Sequence, residues 1–162
     1  MLPQLPAEAA PAALTLAPGD IEGAPARWSA GLPYTFVRVP GLAAIARCRP
    51  DPAKFDAALG AAGAAYVFCA ETTEPGHHFH ARMFAPGMRI PEDPATGSAA
   101  AAFAGLLASG LPDGTHAIVI EQGYEMGRPS LMRLAAQVSA GKLVSAFIGG
   151  DAVVVTEGTI EA

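Results

Sequence analysis

Thr96-Gly97-Ser98-Ala99-Ala100-Ala101-Ala102-Phe103-Ala104-Gly105-Leu106-Leu107-Ala108-Ser109 carries no charge along its whole length. It is long enough for about four helical turns. Alanine, leucine and phenylalanine favour the helix, and there is no polar stripe on any face. A helix that is apolar all round has to be enclosed, and its small residues let the surrounding backbone come close. The uncharged run extends from Pro94 to Pro112. Its length approaches a membrane span, but the bounding prolines and the Ala/Gly/Ser content predict a buried helix of a soluble domain.

Outward from this helix the chain reads as short strands. Tyr34–Val39 and Ala65–Cys69 are aromatic and β-branched, and Asp51-Pro52 opens a short helix to Leu59. His77–Phe84 alternates, so Phe79, Ala81 and Met83 are expected to face the core, leaving His78, His80 and Arg82 on the opposite face. Thr115–Glu121, Ser130–Val138, Lys142–Ile148 and Ala152–Thr156 read as four further strands, with turns at Ser139-Ala140-Gly141 and Gly149-Gly150-Asp151. About seven strands and one long helix predict an α+β fold, a mostly antiparallel sheet curled around the helix. Residues 1–25 contain five prolines and read as an arm with at most one short helix near Ala7–Leu16, leaving 26–162 as the domain.

Composition excludes several classes. The chain has 162 residues, 51% apolar and only 15% charged, which fits one globular domain and not a disordered chain. Ten Lys and Arg stand against 15 Asp and Glu, net −5, and no two basic residues are adjacent. No basic stripe is available to a nucleic-acid backbone, so nucleic acid is not an expected partner, nor is a membrane. Cys48 and Cys69 are isolated and outside any C-x-x-C pattern. No basic residue precedes Arg27, so no signal peptide is legible and a cytoplasmic location is expected. His78 and His80 share a strand face, but the remaining histidines, His77 and His116, do not complete a zinc set. Solvated histidines and no metal are expected.

The chemistry-bearing segment is Pro91-Glu92-Asp93-Pro94-Ala95-Thr96-Gly97-Ser98-Ala99. Two carboxylates stand before a helix whose first turn offers unused N–H groups, and Gly97 lets a ligand approach the backbone. Asp93 is a candidate proton donor or acceptor. The plainer reading is Asp93 as helix cap with Pro94 at the first helical position.

Glu92–Ala99 resembles the signature of the phenazine-biosynthesis isomerase family (PhzF-like), within the diaminopimelate-epimerase fold. Ser29-Ala30-Gly31-Leu32-Pro33, Arg82-Met83-Phe84-Ala85-Pro86-Gly87, Glu121-Gln122-Gly123 and Gly127-Arg128-Pro129-Ser130 resemble that family in order and spacing. So does Pro3-Gln4-Leu5-Pro6, which is similar to the end of the family's first half. The resemblance covers the second, C-terminal lobe of a two-lobe enzyme. It implies cofactor-free proton transfer at carbon on a small carboxylate-bearing metabolite. Asp93 is then the second-lobe acidic residue, and Thr96, Gly97 and Ser98 hold the substrate. Arg128 is a further substrate-binding candidate, able to pair with a substrate carboxylate or with the other lobe, set against a structural role at a turn entering a strand. Arg89 stands where a small residue is commoner in the family.

The family's principal acid/base glutamate and its Gly-His pair belong to the first lobe. Glu74-Pro75-Gly76-His77 is only superficially similar. The chain is therefore expected to be inactive alone, and to form a homodimer or a complex with a separately encoded first lobe, residues 150–162 pairing with that lobe. A non-catalytic anion-binding or regulatory half-domain, and a truncation product, are the alternatives.

Overall fold

The structure is a computed structural model and describes residues 9–60 and 62–161. The Pro3–Pro6 motif lies outside them. In chain order the elements are α1 (Ala9–Ala13), β1 (Ala26–Ser29), β2 (Pro33–Arg38), α2 (Leu42–Arg47), α3 (Pro52–Leu59), β3 (Ala65–Cys69), β4 (Phe79–Ala85), β5 (Ile90–Asp93), α4 (Gly97–Ala108), β6 (Gly114–Gln122), β7 (Ser130–Ser139) and β8 (Lys142–Gly149). The strands form one sheet in the order β1-β2-β3-β4-β6-β7-β8, with β5 on β4. Only β2–β3 and β4–β6 are parallel, so the sheet is mostly antiparallel.

The sheet curls around α4, which meets β1 and β2 at one end of the sheet and β7 and β8 at the other. Ala99, Ala100, Ala102, Phe103, Ala104 and Ala108 are buried. Phe103 is the hub of this core: its ring stacks on Phe36 at 5.4 Å and meets Phe68 and Phe79 edge-on at 4.7 and 5.1 Å. Small residues do what their size allows. A side chain at Gly105 would strike the Trp28 ring at 2.7 Å, so the glycine seats β1 against the helix. Among the described residues the sheet is left open between its end strands β1 and β8, over Ala101 and Gly105.

A second core lies on the outer face of β2, β3 and β4, where Leu14, Ile45, Phe55, Val67 and Phe84 pack together. From Ala9 onward the proline-rich stretch joins this layer, with Ala10, Ala13, Leu14 and Leu16 buried. The expectation of a solvated β4 face is corrected here. His80 and Arg82 are 1% and 3% exposed: Glu121 and the Tyr124–Glu125 turn enclose His80, and the C-terminal end of α2 with Glu92 encloses Arg82. The strand expected at Ala152–Thr156 is absent. That segment is irregular, with Val153, Val154 and Val155 79–86% exposed, since no strand among the described residues pairs with it.

Candidate active site at the mouth of the central helix

The signature folds as a strand followed by a turn into α4. β5 pairs with β4, Asp93 opposite Met83, so strand geometry persists to Asp93 and the helix waits until Gly97. Thr96, not Asp93, is the N-cap, and Pro94 lies outside the helix, which overturns the plain capping reading. Alternation along β5 sends neighbouring carboxylates to opposite faces. Glu92 takes a two-pronged bond from Arg82 at 2.7 and 2.8 Å, while Asp93 turns to the helix mouth.

There the Thr96 hydroxyl donates to Asp93 Oδ2 at 2.7 Å instead of accepting from a helix amide. The Gln122 side-chain amide donates to the Asp93 carbonyl at 2.6 Å and to Thr96 Oγ1 at 3.0 Å. Gln122 is fully buried and its Oε1 has no partner among the described residues. Ser98 Oγ is 2.7 Å from the Tyr34 hydroxyl. The first α-helical bond at this end runs from the Ala100 N–H to Thr96 O, so the amides of Gly97, Ser98 and Ala99 precede it and have no intrahelical acceptor. Gly97 and Ser98 are exposed. An acid beside unspent amides can hold a carboxylate and exchange a proton with it.

Beside the mouth lies a cleft of about 550 Å³, lined by Ala95, Gly97, Ser130, Met132, Gly149 and Asp151 among others. Arg128 is exposed one residue before this lining, and its side chain makes no bond to the described residues. Its backbone is fixed. The Arg128 N–H donates to Gly123 O, and Gly123, at φ 83°, has room for no side chain between Arg128 O and Pro94 O. Gly123 thus brings the signature loop within reach of Gln122. Arg89 sits in the left-handed region at φ 59°, at the turn before β5, and is exposed.

On the other face of the sheet is a charged cluster that sequence reasoning missed. Glu121, 0% exposed, accepts from the amides of Thr73 and Glu74 and bonds to His77 Nδ1 and His80 Nδ1, both at 2.6 Å. Burial alone would raise the Glu121 carboxyl, but these hydrogen bonds outweigh it and hold it down at about 2. His80 Nε2 meets Glu125 at 3.0 Å. Carboxylates at both ring nitrogens favour the imidazolium form, and the His80 pKa is raised despite the opposing effect of burial. Arg82 also donates to Ile45 O and Cys48 O. The signal was present in the Glu121-Gln122 pair, whose alternation places one residue on each face. The cysteines take no part: burial pushes the Cys48 thiol up to about 12 and Cys69 to about 11, too high for acid/base work near neutrality.

A mostly antiparallel sheet closed on a helix whose open N-terminus meets an acid defines a diaminopimelate-epimerase-like fold. The chain belongs to the family of phenazine biosynthesis-like proteins, whose family model matches residues 4–158. It is 46% identical to an uncharacterized isomerase of Mesorhizobium japonicum, over 92% of this chain and 53% of that one. It is 36% identical to the trans-2,3-dihydro-3-hydroxyanthranilate isomerase of Pseudomonas chlororaphis, over 78% of this chain and 44% of that one. A PhzF-family phenazine biosynthesis protein of Bacillus anthracis superposes with a TM-score of 0.76 at 21% identity, over 90% of this chain and 55% of that one. The chain spans about half the length of the curated relatives it matches. No helix among the described residues is long and apolar enough to cross a membrane.

Proposed function

We propose that this chain supplies the C-terminal half of a cofactor-independent isomerase that moves a proton between carbons of a small carboxylate-bearing metabolite in the cytoplasm. Asp93 is the acid/base group of this half. The amides and hydroxyls of Thr96, Gly97 and Ser98 hold the substrate carboxylate, and Arg128 reaches it or the other lobe. The observation that carries the reading is Asp93 tethered by Thr96 beside three amides with no intrahelical acceptor.

A two-group proton transfer, one group taking a proton from carbon and another returning one, needs a free acid/base group besides Asp93, and the other carboxylate lining the adjoining cleft among the described residues, Asp151, is held by Arg133 at 2.8 and 3.0 Å. The second group comes from a first lobe, matching the roughly half-length coverage of the relatives. Exposed Val144, Phe147 and Val153–Val155 are apolar surface for that lobe or for a second copy of this chain. The test is turnover of trans-2,3-dihydro-3-hydroxyanthranilate by the chain alone and mixed with the N-terminal half of the Mesorhizobium relative. None is expected alone; turnover is expected for the mixture and is lost in Asp93→Ala. Turnover by the chain alone that survives Asp93→Ala contradicts the proposal. A mixture that binds small carboxylates without turnover favours the non-catalytic anion-binding reading, which the single free carboxylate supports.

A further inference from the structure

We propose that Gln122 is a positioning residue that decides which oxygen of Asp93 exchanges the proton. The inference rests on the reading of Asp93 as an acid/base group. The amide of Gln122 can sit only one way round, because reversing it would set Oε1 against the Asp93 carbonyl oxygen, 2.6 Å from the present nitrogen. Both of its N–H bonds are therefore committed, one to that carbonyl and one to Thr96 Oγ1. An amide nitrogen offers no lone pair, so the single Thr96 proton cannot point back at Gln122. It points to Asp93 Oδ2, 2.7 Å away. In the neutral acid the carbonyl-type oxygen is the better acceptor, so the Thr96 donor favours Oδ2 in that role and leaves Oδ1 as the oxygen that gains and loses the proton.

Three features fix the device. Gln122 is buried in the last pair of the β4–β6 register, opposite Ala81. Gly123 admits the Pro94 loop to its reach. The unpartnered Oε1 leaves the side chain no alternative anchor among the described residues. When Oδ1 delivers its proton, the O–H pair stays on the Asp93 carboxylate and the new C–H bond takes its pair from the substrate's conjugated π system. Proton removal is the reverse.

The test reads the Thr96 hydroxyl proton of the chain by NMR, through its exchange rate and its three-bond coupling to Hβ. The wild type should show a protected proton with the coupling of one torsion. In Gln122→Met, exchange should quicken about tenfold or more and the coupling should average, since a hydrogen bond's worth of restraint is gone. Gln122→Glu keeps the shape if Met does not fold, and there the proton should turn to the new carboxylate. In the mixture with a first lobe, Gln122→Met should lower kcat about tenfold with KM within about twofold. An unchanged hydroxyl signature in both variants overturns the inference. Asp93→Asn turning over like the wild type overturns instead the reading on which it rests, whatever the hydroxyl does.

Discussion

Two pairs of neighbouring residues, Glu92-Asp93 and Glu121-Gln122, each send one side chain to either face of the same sheet. On the outer face, Glu92 and Glu121 are closed in with Arg82, His77 and His80, and their carboxylate oxygens all have partners. On the inner face, Asp93 and Gln122 meet at the helix mouth, where one Asp93 oxygen is tethered and the exposed Gly97 and Ser98 have amides with no intrahelical acceptor. A charge whose partners are all internal holds structure and has nothing left for a ligand. A charge with spare valence beside unspent donors is suited to chemistry. The carboxylate that does more for the fold is therefore the one less suited to the proposed proton transfer.

Breaking the outer face should have the largest effect. Glu121→Leu leaves Nδ1 of His77, Nδ1 of His80 and the amides of Thr73 and Glu74 without their acceptor, and should lose about 3–5 kcal/mol of stability in urea melts. Asp93→Asn keeps the shape and an acceptor for Thr96, and should stay within about 0.5 kcal/mol. Equal losses in the two variants would erase the comparison.

The pH dependence should come from the same cluster. The Glu121 carboxyl is lowered from 4.5 to about 2, so its contribution is complete above 4.5 and fades as pH falls towards 2. The His80 imidazole is raised from 6.5, so its contribution is complete below 6.5 and fades as pH rises through the higher folded value. Stability from this cluster should peak between about 4.5 and 6.5. Urea melts of His80→Asn should lack the alkaline loss that the wild type shows.

How much of this was legible follows from what each signal depends on. The central helix could be read because the absence of a polar stripe is a local fact, and the Glu92–Ala99 signature because its residues are contiguous. The burial of His80 and Arg82 could not. Alternation separates two faces, but distant segments, the end of α2 over Arg82 and the Tyr124–Glu125 turn over His80, decide whether the second one is wet. Asp93-Pro94 reads locally as a cap, yet pairing of Asp93 with Met83 extends the strand and moves the cap to Thr96. Val153–Val155 has strand-forming residues but no partner strand here, and propensity alone does not make a strand. The Gln122 link joins residues 26 positions apart in sequence, and nothing local announces it.

The smallest effect should come from the exposed tail. Replacing Val153, Val154 and Val155 together by Ser should leave the melt within about 0.5 kcal/mol, because none of them is buried. The same change should reduce any concentration-dependent association seen by light scattering. A marked loss of stability would mean that the tail packs on its own domain.

The central claim, that the helix mouth is the ligand-facing half of this sheet, is tested most directly by titrating the chain with anthranilate while following backbone amide resonances. The account predicts saturable shifts at Gly97, Ser98 and Ala99, with the amides of Thr73 and Glu74 on the outer face unmoved. Shifts confined to the outer cluster, or none at the mouth while another cleft responds, would contradict it.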